Sequence, residues 1–193
     1  MKIVTISREY GAGGHTIGRT AAEKLGIEFY DKDIIKETAR VSGISTDDIE
    51  GKEEILSRLD AFIRGISPAS YDQRTEIFEL ERAVILGFAR KGPCVVLGRC
   101  ADAILAEAGI EAVNVFLYAD EKVRVKRACE LLNTTDEAAA KRELKSIDYG
   151  RRLFYKYYTD KEWGNFHNYD LMINTGKIGV EKSIQMICDA AGD

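Results

Sequence analysis

The 193 residues include 45% hydrophobic and 31% charged side chains and carry a net charge of −4, the balance of a single globular domain with its own core. A protein that lives on a nucleic-acid polymer is usually strongly basic, and no stretch approaches the roughly 18 consecutive apolar residues of a membrane-spanning helix, so neither a polymer nor a membrane is expected as a partner. Cys94, Cys100, Cys129 and Cys188 form no C-x-x-C pair and have no histidine at metal-ligand spacing; they read as reduced thiols of a cytoplasmic protein, and the chain enters its first strand without an apolar leader block.

The β-branched run Ile3-Val4-Thr5-Ile6 predicts a buried strand. Ser7-Arg8-Glu9-Tyr10-Gly11-Ala12-Gly13-Gly14-His15-Thr16 then forms a glycine-rich turn into a helix over residues 15–25. Strand, glycine turn and helix start, in that order, are the parts of a phosphate-binding loop. Glycines let backbone N–H groups curl around an anion, and the helix N-terminus adds its partial positive charge. Gly11-x-Gly13 also matches the first half of a dinucleotide fingerprint, but Thr16 stands where its third glycine would be. A hydroxyl at that point suits a phosphate-bound Mg²⁺ better. In the common pattern G-x-x-x-x-G-K-[ST] a lysine follows the last glycine, and here that place is Gly14. Arg8 and Arg19 are the local cations that could stand in for it.

Gly26 ends the first helix, and residues 27–30 predict a short strand closing at Asp31. A helix over about 33–41 stops near Ser42-Gly43. Residues 44–92 read as helical, with Ser45-Thr46-Asp47-Asp48 as a cap and Ile55, Leu59, Phe62 and Ile63 as one stripe. Beyond a break at Pro68, Ile77, Leu80, Glu81, Val84, Ile85 and Phe88 form a second stripe, ending at Gly92-Pro93. Cys94–Leu97 is a fully buried strand, followed by Gly98-Arg99 and a helix over 101–108. Residues 113–118 form a strand, and Asp120 opens a helix carrying Val123, Arg124, Arg127 and Leu131. Thr135-Asp136-Glu137 caps a long helix through about Tyr158; residues 171–173 are the last strand and 180–191 the closing helix. Strands alternating with helices imply a parallel sheet covered on both faces, with ligands at the carboxyl ends of the strands.

Several side chains at those ends suit phosphate chemistry. Arg99 follows a buried strand and a glycine, where its planar fork reads either as a grip on a phosphate or base edge or as one half of a surface ion pair. Residues 124–156 interleave bases with acids, mostly a solvated face. Asp148-Tyr149-Gly150-Arg151-Arg152 stands apart, since adjacent arginines beside an acid and a glycine suit a mobile segment closing over phosphates. The aromatics Phe154, Tyr155, Tyr157, Tyr158 and Trp163 read as packing that anchors this segment, or as a surface on which a base stacks. His15 is placed to touch phosphate, and His167 reads as structural.

Together these motifs resemble the P-loop nucleoside monophosphate kinases, in particular the cytidylate kinase-like group, over nearly the whole length. The resemblance rests on Ile6-Ser7-Arg8-Glu9-Tyr10-Gly11-Ala12-Gly13-Gly14, Phe29-Tyr30-Asp31, Val95-Val96-Leu97-Gly98-Arg99, residues 115–120 with Arg124 and Arg127, the D-x-x-R of Asp148 and Arg151, and residues 169–175. It implies one three-layer α/β/α P-loop kinase domain over 1–193, with five parallel strands in order 2-3-1-4-5, a helical acceptor-binding segment at 33–92 and a lid at about 133–165. It also implies ATP, Mg²⁺ and phosphoryl transfer to a nucleoside monophosphate such as CMP. On that resemblance the amides of Gly11, Ala12, Gly13, Gly14 and His15 cradle the donor phosphates, and Thr16 reaches Mg²⁺. Arg99 with Asp31, and Asp148 on the lid, serve the acceptor. Arg151, with Arg124 or Arg127, closes on the transferring group, while Arg8 supplies the missing charge. Two other readings stand beside this one: a nucleotide-sensing protein with a degenerate kinase fold, and a kinase for a non-nucleotide acceptor such as a small hydroxy acid.

Overall fold

The computed structural model describes residues 2–31, 34, 36–38, 40 and 68–192, with the backbone alone over 68–74. The expected helix stop at Ser42-Gly43, the cap at 45–48 and the stripe from Ile55 to Ile63 lie outside the described residues. The elements are β1 (Ile3–Arg8), α1 (Gly14–Leu25), β2 (Glu28–Tyr30), α2 (Pro68–Lys91), β3 (Cys94–Leu97), α3 (Ala101–Glu107), β4 (Ala112–Tyr118), α4 (Glu121–Leu131), α5 (Glu137–Thr159), β5 (Leu171–Asn174), α6 (Thr175–Ile178) and α7 (Val180–Gly192). Residues 34, 36–38 and 40 are also helical.

The strands pair in parallel in the order β2-β3-β1-β4-β5, as expected. Ile6 lies beside Leu97 on one side and Val115 on the other. In this register β3 ends two residues short of β1 and β4 one residue beyond it, and the loops after all three leave the same edge of the sheet.

Period-2 alternation divides the core between two faces. Val4, Ile6, Val95 and Leu97 point to the face covered by Ile17 and Ala21 of α1 and by Ile184 and Ile187 of α7. Ile3, Cys94 and Val96 point the other way, onto Ile85 of α2, Ile104 and Leu105 of α3, and Phe154 and Tyr155 of α5. Each fully buried Ile or Leu contributes about 1.5–3 kcal/mol relative to exposure, and β3 is apolar throughout. Val125 and Ala128 of α4 meet Ala140 and Leu144 of α5 in a small third core.

Pro68 opens α2, where the second stripe was expected to follow a break; proline in the first turn gives up only an N–H that has no intrahelical partner there. The short α6 and a 3₁₀ turn at Phe166–Asn168 carry no periodic signal. They are nucleated by single side chains: the Asn174 amide oxygen accepts from the Lys177 N–H at 3.2 Å and that of Asn165 from the His167 N–H at 3.1 Å.

Candidate active site

The glycine loop leaves the middle strand of the sheet. The Glu9 N–H donates to the Leu117 carbonyl at 2.9 Å, holding the exit of β1 against β4, and the Ala12 N–H donates to the Glu9 carbonyl at 3.2 Å to close the turn. Gly11 has φ +79°, and a Cβ there would lie 2.7 Å from the Arg124 carbonyl oxygen, so both conformation and space demand glycine. Gly13, at φ +88°, is the N-cap of α1 and supplies no capping side chain; no acid sits in the first turn. No side chain caps the opening amides of this 12-residue helix, and the helix dipole lies behind them. From the far side, the Thr175 hydroxyl donates to the Ala12 carbonyl at 2.9 Å.

Beneath the loop lies an ionic cluster. Arg124 meets Glu9 at 3.2 Å and Asp148 at 2.5 Å, and its Nε donates to the Ala119 carbonyl at 3.1 Å. The other Asp148 oxygen accepts from the Tyr10 N–H at 2.7 Å. Burial raises the Glu9 carboxyl above the usual range, with the Arg124 charge opposing. The structure therefore places Arg124 and Asp148 as ties between the loop, α4 and α5, and neither lines a cavity described here.

Among the described residues, two cavities open at the strand ends. The larger, about 250 Å³, is lined by Gly11, Gly13, Gly14, His15 and Thr16, with Arg8, Glu9, Asp31, Arg127 and Arg151 around them. Arg127 donates to the Thr16 hydroxyl at 3.2 Å, and the His15 Nδ1 lies 2.8 Å from the Asp31 carboxylate. The smaller, about 30 Å³, is lined by Ser7, Gly98, Arg99, Cys100, Phe154, Tyr155 and Trp163. Arg8 and Arg151 line both, and Arg151 Nη1 donates to the Arg8 carbonyl at 2.9 Å. Arg19 takes no part: its guanidinium lies 5.3 Å over the Phe29 ring.

Asp31 and Arg99 are not brought together, since Asp31 lines the larger cavity and Arg99 the smaller. Gly98, Arg99 and Cys100 all have positive φ, at 78°, 56° and 56°. That turn sends Arg99 inward, where Nη1 donates to Glu81 of α2 at 2.9 Å; the two side chains are 6% and 1% exposed. Glu81 is a partner that sequence reading passed over, although a lone acid within an apolar helical stripe was the signal for it. Asp102 was passed over too, with no local signal. Its carboxylate is buried in α3 and accepts from the Tyr155 hydroxyl of α5 at 2.6 Å. Burial raises its pKa, and that hydrogen bond opposes the rise. The aromatic group packs together: Phe78 stacks on Tyr158 at 3.9 Å and Trp163 meets Phe116 edge-on at 5.1 Å, with Trp163 also reaching the smaller cavity. His167 lies against Phe166 at 4.0 Å, away from both cavities.

For a cation, the larger cavity offers the Thr16 hydroxyl and the Asp31 carboxylate. Among the described residues no cluster of three or more His, Cys, Asp or Glu forms a cage. Such a hard-oxygen set fits Mg²⁺ held largely by nucleotide phosphates.

A parallel sheet in this order, with a glycine loop running from its middle strand into a helix, defines the three-layer α/β fold of the P-loop class. The chain belongs to the cytidylate kinase-like family, whose model matches residues 3–177. A cytidylate kinase of Archaeoglobus fulgidus is 26% identical over 193 residues, covering 97% of this chain and 93% of that one. An uncharacterized protein from Eubacterium ventriosum superposes with a TM-score of 0.76 at 25% identity, over 100% of this chain and 99% of that one. A shikimate kinase from Bacteroides thetaiotaomicron, at TM-score 0.56 and 16% identity over 100% of this chain and 99% of its own, shares the fold. Among the described residues no helix is long and apolar enough to cross a membrane.

Proposed function

We propose that this protein transfers the γ-phosphoryl group of ATP, with Mg²⁺, to a pyrimidine nucleoside monophosphate, CMP first among them. One observation carries the reading: the uncapped start of α1 faces a cavity ringed by Arg8, Arg127 and Arg151, and two of those arginines also wall a second cavity beside it. Family membership supports the same chemistry. The amides of residues 11–15 hold the donor phosphates; the Thr16 hydroxyl would help hold Mg²⁺ on them, and the ion would supply charge screening there. An acceptor phosphate oxygen forms a bond to the γ-phosphorus as the bond to the β,γ-bridging oxygen breaks, and ADP leaves. Arg127 and Arg151 neutralise charge spreading over the transferring group, which in comparable sites is worth several kcal/mol. Arg99, fixed by Glu81, supplies the positive wall of the acceptor side. This chemistry and the free thiols support a cytoplasmic location.

A second reading has its own support. Asp31, 2.8 Å from His15 on the wall of the larger cavity, is a carboxylate suited to accept a proton from a hydroxyl acceptor such as a small hydroxy acid. One assay separates the two. Purified protein with Mg·ATP is offered CMP, dCMP, UMP, AMP and a panel of small hydroxy acids, and ADP formation is followed. CMP-dependent ADP is the expected result. Turnover with a hydroxy acid alone selects the second reading, and silence across all acceptors overturns both.

A further inference from the structure

Arg8 is the last residue of β1, and its side chain passes between two positions that lack one. A Cβ on Gly14 would lie 2.6 Å from the Arg8 Cγ, 3.0 Å from its Cβ and 3.3 Å from its Cδ. The arginine stem therefore fills the space into which any side chain at position 14 would grow. Gly98, after β3 and at φ +78°, lies under the other end, where a Cβ would overlap the Arg8 Nη1. Two glycines some 80 residues apart in sequence thus flank the path of one arginine, and one of them occupies the position where the common phosphate loop carries its lysine.

We propose that Arg8 is the phosphate-bridging cation of this loop, exchanged by volume for the lysine at position 14. Gly14 and Gly98 are then glycine because the arginine runs over them. The exchange changes more than the origin of the charge. A lysine is a point charge on a flexible stem, whereas a guanidinium is a rigid fork with five donors. Arg8 lines both cavities, with its stem over Gly14 of the larger and its guanidinium beside Gly98 of the smaller, so the charge stands on the side where the two cavities adjoin. Its main chain is fixed in turn, because Arg151 donates to the Arg8 carbonyl at 2.9 Å. Arg19, the other local candidate, lies over Phe29 and lines neither cavity.

The inference rests on the phosphoryl-transfer reading, and its test does not need an acceptor. Thermal unfolding and calorimetric titration with Mg·ATP are measured for Arg8→Ala, Gly14→Ala, Gly14→Lys, Arg8→Ala/Gly14→Ala and Arg8→Ala/Gly14→Lys. Gly14→Ala should lower the melting temperature while Arg8 is present and cost little once Arg8 is shortened. Arg8→Ala should keep its melting temperature and lose roughly ten- to a hundredfold in ATP affinity, the scale of one charged hydrogen-bonding group. The relocated lysine of Arg8→Ala/Gly14→Lys should recover at least about tenfold of that loss, whereas Gly14→Lys alone should be destabilised. Wild-type ATP affinity in Arg8→Ala, additive stability effects at positions 8 and 14, or no recovery in the relocated variant would each overturn the exchange. If these results hold and no acceptor is phosphorylated, the phosphoryl-transfer reading fails and the exchange stands as a nucleotide-binding device.

Discussion

Arg99 and Glu81 bring an arginine and a glutamate into the protein with almost no exposed side-chain surface. Such a pair is a weak source of net stability, but removing one partner leaves an uncompensated buried charge. Glu81→Gln should destabilise the fold by about 3–5 kcal/mol, read as a shift in urea midpoint, and the double variant Glu81→Leu/Arg99→Met should recover most of that. Equal loss in the single and double variants would show that the pair does not hold the turn. The cost is borne at three successive positive-φ residues, two of them not glycine. Left-handed backbone at a non-glycine residue costs on the order of 1–3 kcal/mol and persists where its surroundings enforce it. Here the turn carries Arg99 inward onto Glu81, beside the smaller cavity. The sequence signal for Arg99 was its place after a buried strand. Its partner stands 18 residues earlier on a helix, and that contact was invisible without the fold.

At the scale of elements, α5 decides how the site is assembled. Its N-cap, Asp136, accepts from the Ala139 N–H at 2.9 Å, as its position before Glu137 predicts. Farther along, Asp148 holds the loop at Tyr10, Arg151 stands between the cavities, and Tyr155 reaches Asp102 in α3. Tyr155→Phe should remove the hydroxyl donor from a buried carboxylate at a cost of about 1–3 kcal/mol. The deficit should depend on pH. The folded pKa of Asp102 is already raised, so its contribution to stability is fully present below the unfolded pKa and is lost as pH rises through the folded value. Without the phenol that folded pKa rises further, so the variant should fall behind the wild type more at pH 7 than at pH 4. A deficit independent of pH would show that Tyr155 acts through packing alone. The helix itself was legible in its cap and length. Its ties to α3 and to the loop were not, because Asp102 and Tyr155 are separated by 53 residues and Tyr10 and Asp148 by 138.

Across the whole molecule, what could be read from sequence is what is local or periodic. The β-branched runs gave strands and the strand–helix alternation a parallel sheet; the resemblance gave the order β2-β3-β1-β4-β5. Gly11, Gly13 and Gly14 announced a loop that admits no side chains, and the structure gives each a physical reason in Arg124, Arg127 or Arg8 packed over it. The division of labour among the arginines depended on the sheet. Arg124 supports the loop from below, Arg127 stands on the larger cavity, and Arg8 and Arg151 stand between the two cavities. All of this chemistry presupposes that the uncapped first turn of α1 receives a polyphosphate. Amide NMR of the ¹⁵N-labelled protein during titration with Mg·ADP tests that presupposition. The largest, saturable shifts should fall on the backbone amides of residues 11–16, with smaller ones on the Arg8, Arg127 and Arg151 side chains. If those amides stay unmoved while the nucleotide binds elsewhere, or if no residue responds, the assignment of this loop is wrong.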